Sequence, residues 1–137
     1  MTAICVYCAS GRVDETYLDL AARTGAEVVA VDSDADCVDR LYGQVRRENR
    51  PILPMCVDIA NPSPAIGFCN RERASFLDRI QADCVLALAV IHHLHVTANL
   101  PLTGIRDMLA DLCKQYLILE FVPTDDVMFR KLMQFRV

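Results

Sequence analysis

Glycine is scarce in this chain of 137 residues, which contains five glycines. They do not form a glycine-rich turn after the first predicted strand, where nucleotide-binding folds bring a ligand close to the backbone. A Gly-x-Ser-x-Gly turn and a phosphate loop ending in Gly-Lys-Ser or Gly-Lys-Thr are also absent. The sequence therefore lacks the parts for serine hydrolysis and for nucleoside triphosphate hydrolysis.

Long apolar runs and concentrated positive charge are absent as well. The longest apolar run, Cys84 to Ile91, has the length of a strand and falls far short of the roughly 20 residues that cross a bilayer. The net charge is −4, and most lysines and arginines are scattered. The amino terminus does not have the pattern of a signal peptide. We therefore expect no membrane partner, no nucleic acid partner and a cytoplasmic location.

Cysteine and histidine are present without the spacing of a metal site. Seven cysteines, an odd number without a signal peptide, are typical of a reducing compartment. Cys5 and Cys8 have the spacing of a redox or zinc pair, but residues three apart on a strand point to opposite faces. His92, His93 and His95 lack the acidic partner of a helix-face motif, and we expect adjacent histidines to diverge. We therefore predict buried thiols and no metal.

Apolar runs and helical periodicities alternate along the chain. They predict strands over 3–9, 27–31, 52–57, 84–91 and 116–122, and helices over 14–24, 34–48, 71–81, 105–113 and 127–135. This alternation implies right-handed crossovers and a mainly parallel sheet with helices on both faces. Pro54 favours an edge position for the third strand. We predict one α/β domain over 1–137, a Rossmann-like doubly wound fold of five strands in the order 3-2-1-4-5.

Polar residues follow several of these strands where each one ends, at the edge of the sheet where ligands bind in such folds. Asp32 follows the second strand and is typical of a ribose ligand, since a carboxylate can accept from both ribose hydroxyls. Asp58, after the third strand, is suited to accept from an adenine amine. The alternative for both aspartates is local hydrogen bonding in a turn. The residues expected to converge are Ser10, Gly11, Asp32, Ser33, Asp58, Ile59 and the stretch around His92.

The histidines after the fourth strand are the candidate catalytic groups. The unperturbed pKa of a histidine lies near neutral pH, so His92 or His93 could accept a proton as a general base. The alternative is a structural role, which is the more common one for a histidine at the rim of a central strand.

Four segments together resemble the class I S-adenosylmethionine-dependent methyltransferases, over about residues 25–137. The segments are Val28-Val-Ala-Val-Asp32-Ser-Asp, Val57-Asp58-Ile59, Asp83-Cys-Val-Leu-Ala-Leu-Ala-Val-Ile-His92-His93-Leu94 and Leu117-Ile-Leu-Glu120-Phe-Val-Pro123. The resemblance implies S-adenosylmethionine as cofactor. It would put Asp32 at the ribose, Asp58 and Ile59 at the adenine, and Ala89 to His92 beside the methyl-transfer site.

The amino-terminal part departs from that family, whose first strand ends in a turn resembling Asp-x-Gly-x-x-x-Gly. Residues 1–27 instead contain Ile4-Cys-Val-Tyr-Cys-Ala-Ser10-Gly11 and Tyr17-Leu-Asp-Leu-Ala-Ala-Arg23. They resemble the lysine-decarboxylase-like phosphoribohydrolases that release cytokinin bases, in which this turn lies near a nucleoside monophosphate. The catalytic Pro-Gly-Gly-x-Gly-Thr-x-x-Glu segment of that second family does not occur. We therefore hypothesise a chimera of the two families.

The expected function follows the larger resemblance. We expect a methyltransferase-like domain that binds S-adenosylmethionine weakly, since the glycine-rich turn is missing, and an active form would be a methyltransferase. One alternative is a catalytically inert chimeric or designed fold, and a second is nucleoside monophosphate binding at Ser10 and Gly11. The methyltransferase family adds a strand pair after the last helix, which this sequence lacks. An exposed edge beside the fifth strand would then favour a homodimer.

Overall fold

The protein is described by a computed structural model that covers residues 2–6, 20 and 22–134. Its strands are β1 (Thr2–Val6), β2 (Glu27–Asp32), β3 (Ile52–Cys56), β4 (Ala82–Ala87) and β5 (Cys113–Leu119). Its helices are α1 (Ala35–Glu48), α2 (Phe76–Arg79), α3 (Leu102–Leu112) and α4 (Val127–Met133). Short 3-10 and π-helical turns lie at Phe68–Asn70 and His93–Thr97.

The five strands form one parallel sheet in the order β3-β2-β1-β4-β5. The order of the predicted fold is therefore confirmed. β1 lies between β2 and β4, so the chain changes direction across the sheet at the β1–β4 boundary. In doubly wound sheets, ligands bind beside this switch point, outside the carboxyl ends of the strands.

The two faces of the sheet each carry an apolar core, because successive side chains of a strand point to opposite faces. On one face, Leu41 and Val45 of α1 pack in a cluster with Val28 and Ala30 of β2. The other face holds the larger cluster, formed by side chains of β4, α2, α3 and the π-helical turn. Its fully buried members include Phe76, Val85, Leu94, Leu109 and Leu112. Helix α1 thus covers β2 and β3 on one face, and α3 packs against β4 and β5 on the other.

The third predicted helix is much shorter than expected. Helix α2 has only four residues, Phe76–Arg79, and Ser75 caps it by accepting from the Asp78 N–H. The prediction of a helix over 71–81 was wrong because Arg73 is hydrogen-bonded elsewhere. Its N–H and C=O both bond to the backbone of Ile66, so this stretch forms an antiparallel bridge across the loop.

The end of the fourth strand also differs from the prediction. β4 ends at Ala87, and Ala89 has a φ of 52°, which is incompatible with an extended strand. The strand thus ends four residues before its predicted end at Ile91, and His92 lies in a helical turn beyond it. β5 follows α3 directly and begins at Cys113, ahead of its predicted start.

Part of the first βα unit lies outside the described residues. β1 is described as far as Val6. The predicted helix over 14–24 is described only at Leu20 and at 22–24, of which Leu20, Ala22 and Arg23 are helical and Thr24 lies in a turn. Gly25 has a φ of 78°, as expected for a residue that ends a helix. In the part of the chain that the structure describes, no helix has both the length and the apolar character needed to cross a membrane.

Candidate functional site

The candidate site lies at the carboxyl edge of the sheet, and its first half follows β2 and β3. We call this the aspartate half, made of Asp32, Ser33 and Asp58. The Val57 N–H donates to the backbone oxygen of Asp32 over 2.8 Å, so the two strand ends are joined. This contact brings two of the sequence-predicted carboxylates to adjacent strand ends.

Asp32 is more buried than a ligand-facing residue would be. It is 1% exposed, and its Oδ1 accepts from the Asp34 N–H over 2.9 Å. This bond links the end of β2 to the start of α1, as in an Asx turn. Asp32 therefore makes the local hydrogen bond that was the alternative to ribose binding. A ribose could reach this carboxylate only after the groups that cover it move.

Helix α1 begins immediately beyond this turn. Asp34 caps the helix by accepting from the N–H groups of Asp36 and Cys37, while Ser33 is exposed. The Cys37 thiol also donates to Asp34, and this bond is the main cause that lowers the pKa of the Asp34 carboxyl. Burial is the main cause that raises the pKa of the Cys37 thiol, which keeps it protonated and unreactive at neutral pH.

Asp58 and Ile59 follow β3 with opposite exposures. Asp58 is exposed, and its Oδ1 accepts from the Ala60 N–H over 2.9 Å, which closes another Asx turn. Ile59 is 4% exposed and packs in the larger core cluster beside Val31 and Phe76. Asp58 is therefore accessible to a ligand, whereas Ile59 presents little surface with which to cover an adenine ring.

The second half of the site follows β4 and β5, and we call it the histidine half, made of Ala89, His92, His93 and Glu120. The Ala89 N–H donates to Oε2 of Glu120 over 2.7 Å. The Glu120 N–H in turn donates to the Ala87 oxygen over 3.0 Å. Glu120 thus fixes the turn in which Ala89 has its positive φ.

Glu120 had not been recognised as a site residue from the sequence. The structure puts Glu120 directly after β5, whereas the predicted strand over 116–122 had put it inside the strand. What the sequence does not contain is the link from Glu120 to Ala89, which are 31 residues apart along the chain.

The rings of His92 and His93 contact each other at a tilt instead of diverging. Their ring centroids are 4.3 Å apart with an interplanar angle of 42°, so the expectation of divergent side chains was wrong. The reason is that both lie in a helical turn, not on a strand. His92 is 9% exposed, and its Nδ1 has no hydrogen-bond partner among the residues that the structure describes.

The environment of this pair favours neutral imidazoles. Burial lowers the pKa of His92, and the neighbouring His93 lowers it further, while Glu120 and Asp126 act weakly in the opposite direction. Burial also lowers the pKa of His93. Both rings are therefore uncharged at neutral pH, the form that can accept a proton.

The remaining sequence-predicted residues give a mixed picture. Ser10 and Gly11 lie outside the described residues. Within residues 2–6, 20 and 22–134, no group of three or more His, Cys, Asp or Glu side chains is arranged to hold a metal ion. Cys37 is buried, but Cys56 and Cys69 are exposed free thiols, so burial does not hold for every cysteine.

Two open grooves flank the sheet at opposite ends. A groove of about 630 Å³ lies beyond the π-helical turn and is lined by His95, Thr124, Phe129, Arg130, Met133 and Gln134. A second groove of about 420 Å³ lies where β4 and β5 begin and is lined by Leu77, Asp78, Gln81, Ala110, Asp111, Cys113 and Lys114. Only the first groove is at the same end of the sheet as the candidate site.

Known proteins share this architecture. Two structures of WbdD match, one described as a bifunctional kinase-methyltransferase and one as a co-crystal structure with a kinase inhibitor. The first has a TM-score of 0.66 and 13% identity, over 92% of this chain and 25% of that one. The second has a TM-score of 0.65 and 16% identity, over 91% of this chain and 26% of that one. This chain therefore has the same kind of α/β fold as a part of these proteins. No protein-family model matches it.

A sequence relative extends over nearly the whole chain. The nodulation protein NoeA of Rhizobium meliloti (strain 1021) is 35% identical over 133 residues, which are 96% of this chain and 27% of NoeA. The chain thus spans about a quarter of the length of the proteins that it matches. Because a single protein aligns across the hypothesised junction near residue 27, the comparisons give no support to a chimera or to a phosphoribohydrolase origin.

Proposed function

We propose that this chain is the cofactor-binding domain of an S-adenosylmethionine-dependent methyltransferase, and that it binds the cofactor weakly. The observation that carries the proposal is the position of Asp32. It ends β2 in a sheet of order β3-β2-β1-β4-β5, beside the strand at which the chain changes direction. An acidic residue at this position accepts from ribose hydroxyls in nucleotide-binding folds.

The chemistry of the aspartate half suits the polar part of such a cofactor. In the proposal, Asp32 would accept from the ribose hydroxyls, and the exposed Asp58 would accept from the adenine amine. When bound, S-adenosylmethionine would supply a sulfonium methyl group for transfer to an oriented nucleophile. The backbone turn at Ala89 and the residues that follow it would border that transfer.

The histidine half would serve the acceptor. A neutral imidazole at His92 or His93 can take a proton from the attacking group, and the low pKa of both rings keeps them in that form at neutral pH. Glu120 is a positioning residue in this proposal, because it acts through the Ala89 N–H.

Weak binding follows from the burial of Asp32. A carboxylate that is 1% exposed must be uncovered before a ribose can contact it. When only a fraction of the molecules is competent to bind, the apparent dissociation constant rises by the inverse of that fraction. A site that is open in one molecule in a hundred would thus bind about a hundredfold more weakly than a preformed one.

Calorimetric titration with S-adenosylmethionine and S-adenosylhomocysteine tests this proposal. We expect saturable heat at high micromolar to millimolar ligand, and a loss of about tenfold to a hundredfold in affinity in Asp32→Ala, since hydrogen bonds to charged groups contribute about 1.5–3 kcal/mol. Asp111→Ala, which removes an exposed acid in the groove at the other end of the sheet, is the matched control. Thermal unfolding of each variant checks that it is folded.

The same burial favours a second candidate, a domain that keeps the fold and binds no cofactor. In that case Asp32 would only connect β2 to α1 through the Asp34 N–H. The absence of heat with both ligands at millimolar concentration, in a folded protein, would contradict cofactor binding and support this candidate. Binding of adenosine monophosphate that is unchanged by Asp32→Ala would instead support nucleotide binding at Ser10 and Gly11.

A further inference from the structure

We propose that the methyl acceptor of this domain is an uncharged hydroxyl or amine, bound in the histidine half by the imidazoles and by the carboxylates of Glu120 and Asp126. This proposal rests on the proposed function, because it names the class of acceptor for the same site. An acceptor of this class carries a proton on its attacking atom. Carboxylate and phosphate acceptors, which arrive as anions, form the opposing class.

Glu120 presents a carboxylate whose position is fixed by the backbone around it. Its Oε2 accepts from the Ala89 N–H over 2.7 Å, and its own N–H donates to the Ala87 oxygen over 3.0 Å. The residue is exposed, and a carboxylate that accepts one N–H group keeps further lone pairs. Glu120 can therefore accept an O–H or N–H group of a ligand while it still holds the turn at Ala89.

Asp126 adds a second carboxylate near His92. Its Oδ1 accepts from the Phe129 N–H over 3.0 Å and so caps the first turn of α4. Asp126 and Glu120 each act to raise the pKa of His92, against the larger opposing effect of burial. The charged side chains that act on this ring from the described residues are thus both negative, which favours a ligand atom that becomes positive.

His92 has a ring nitrogen that the fold does not use. The residue is 9% exposed, and its Nδ1 has no hydrogen-bond partner in the part of the chain that the structure describes. Buried polar groups are nearly always hydrogen-bonded, so an unpaired one calls for an explanation. A neutral imidazole nitrogen can accept an O–H or N–H group. His93, with its ring centroid 4.3 Å away and only partly buried, extends the same acceptor surface outward.

Methyl transfer to a hydroxyl or amine moves positive charge into this half of the site. The bond from the methyl carbon to the acceptor oxygen or nitrogen forms as the carbon–sulfur bond breaks, and the sulfur keeps the electron pair of the broken bond. The acceptor atom becomes positive and releases its proton to a neutral imidazole. Carboxylates beside this atom stabilise its charge, whereas they repel an acceptor that arrives as an anion.

The alternative is that the two carboxylates only hold the backbone, Glu120 at the turn of Ala89 and Asp126 at the start of α4. Glu120→Gln and Asp126→Asn separate the two roles. Both amides keep an oxygen that can accept the same N–H group, and asparagine is as good a helix cap as aspartate. Only the negative charge is lost.

An NMR titration of the chain without cofactor tests the class of acceptor. The probes are phenol, aniline and benzoate, which share an aromatic ring and present a hydroxyl, an uncharged amine and a carboxylate at neutral pH. We expect phenol or aniline to shift the Ala89 and Glu120 amide signals and the His92 and His93 ring signals saturably at millimolar concentration. Benzoate should bind at least about tenfold more weakly. The tighter of the two uncharged probes distinguishes a hydroxyl acceptor from an amine.

Removal of the two charges should weaken this preference. In the double variant Glu120→Gln and Asp126→Asn, the ratio of the affinities for the uncharged probe and for benzoate should fall by about threefold or more. The matched control is Asp111→Asn, in the groove at the other end of the sheet, which should leave the ratio unchanged. Benzoate that binds wild type as tightly as phenol and aniline, an unchanged ratio in the folded double variant, or no saturable shift with phenol and aniline would overturn the proposal.

These outcomes are distinguishable from a failure of the proposed function. A chain that binds S-adenosylhomocysteine but neither phenol nor aniline would contradict the class of acceptor and leave the cofactor site intact. A chain that binds phenol or aniline with the expected preference, but no S-adenosylhomocysteine, would support the binding site described here and contradict its use for methyl transfer.

Discussion

The two halves of the candidate site lie on the same edge of one sheet but are built by different means. In the aspartate half, Asp32 and Asp58 each accept a backbone N–H group two residues ahead in the chain, and the adjacent Asp34 accepts from two and three residues ahead. In the histidine half, the turn at Ala89 is held by Glu120, which is 31 residues away. The carboxylates of the first half thus bond to local turns, and the Val57 N–H joins its two strand ends. In the second half the turn at Ala89 is itself held by a side chain from a distant part of the chain.

The two halves also differ in the charge of the side chains that they present. The aspartate half presents carboxylates, which suit the hydroxyl and amine donors of a nucleoside. The histidine half presents two imidazoles in tilted contact whose pKa values are lowered by burial, so both rings are uncharged at neutral pH. This division is consistent with a cofactor on one side and an acceptor on the other, as proposed above.

The largest expected effect comes from truncating Leu94, the buried leucine that packs the histidine half against the core. Leu94 lies in the π-helical turn after the histidines and is 2% exposed in the larger core cluster. Leu94→Ala should lower the free energy of unfolding by about 3 kcal/mol, as buried leucine truncations do. Urea denaturation measures this loss, with the exposed Leu53→Ala as control. A loss below about 1 kcal/mol would show that the turn does not depend on tertiary packing.

A smaller effect should come from relieving the strain at Ala89. Its φ of 52° lies in the left-handed region, which costs a residue with a Cβ roughly 1–2 kcal/mol. Ala89→Gly should therefore raise the free energy of unfolding by up to about 1 kcal/mol, after the entropy of glycine in the unfolded chain is subtracted. The matched control is Ala110→Gly on an exposed side of α3, which should instead destabilise. Equal destabilisation by both changes would argue against strain at Ala89.

The smallest expected effect is a pH dependence that belongs to the histidine half alone. The pKa values of His92 and His93 are lowered in the folded protein from 6.5, so the unfolded chain binds protons more readily. Above the pKa of these histidines in the unfolded chain, their contribution to stability is fully present. It is lost as the pH falls from that pKa to the lower pKa of the folded protein. Urea denaturation between about pH 7 and about pH 5 should show this fall.

The variant for this test is the double change His92→Gln and His93→Gln. It should flatten the decrease in stability over that interval, because the groups that take up the protons on unfolding are gone. If the wild type and the double variant lose stability in parallel, the histidines are not the groups that titrate.

The contrast between the halves also explains what could be predicted from the sequence. The strand order and the aspartate half follow from local patterns: an apolar run that ends in Asp32, and Asp58 directly after the next strand. The contact between the His92 and His93 rings depends on a helical turn, and the bond from the Ala89 N–H to Glu120 depends on a residue that follows a distant strand. The burial of Asp32 likewise depends on what packs over it, which is a property of the fold and not of its neighbours in sequence.

The two outer strands also show which features could be predicted from the sequence and which could not. Pro54 predicts from its own chemistry that β3 lies at an edge, and the observed order agrees. The two-sided exposure of β5 could not be read from its residues, because an apolar run such as Tyr116 to Leu119 is equally typical of a buried strand.

The measurement that tests the central claim most directly is a backbone amide NMR titration of the wild-type chain with S-adenosylhomocysteine. The account predicts saturable shifts at the carboxyl edge of the sheet, at Ser33, Asp34, Asp58 and Ala89, and none in the groove at the other end around Lys114. No shift at millimolar ligand, or shifts confined to the groove around Lys114, would contradict a cofactor site at Asp32.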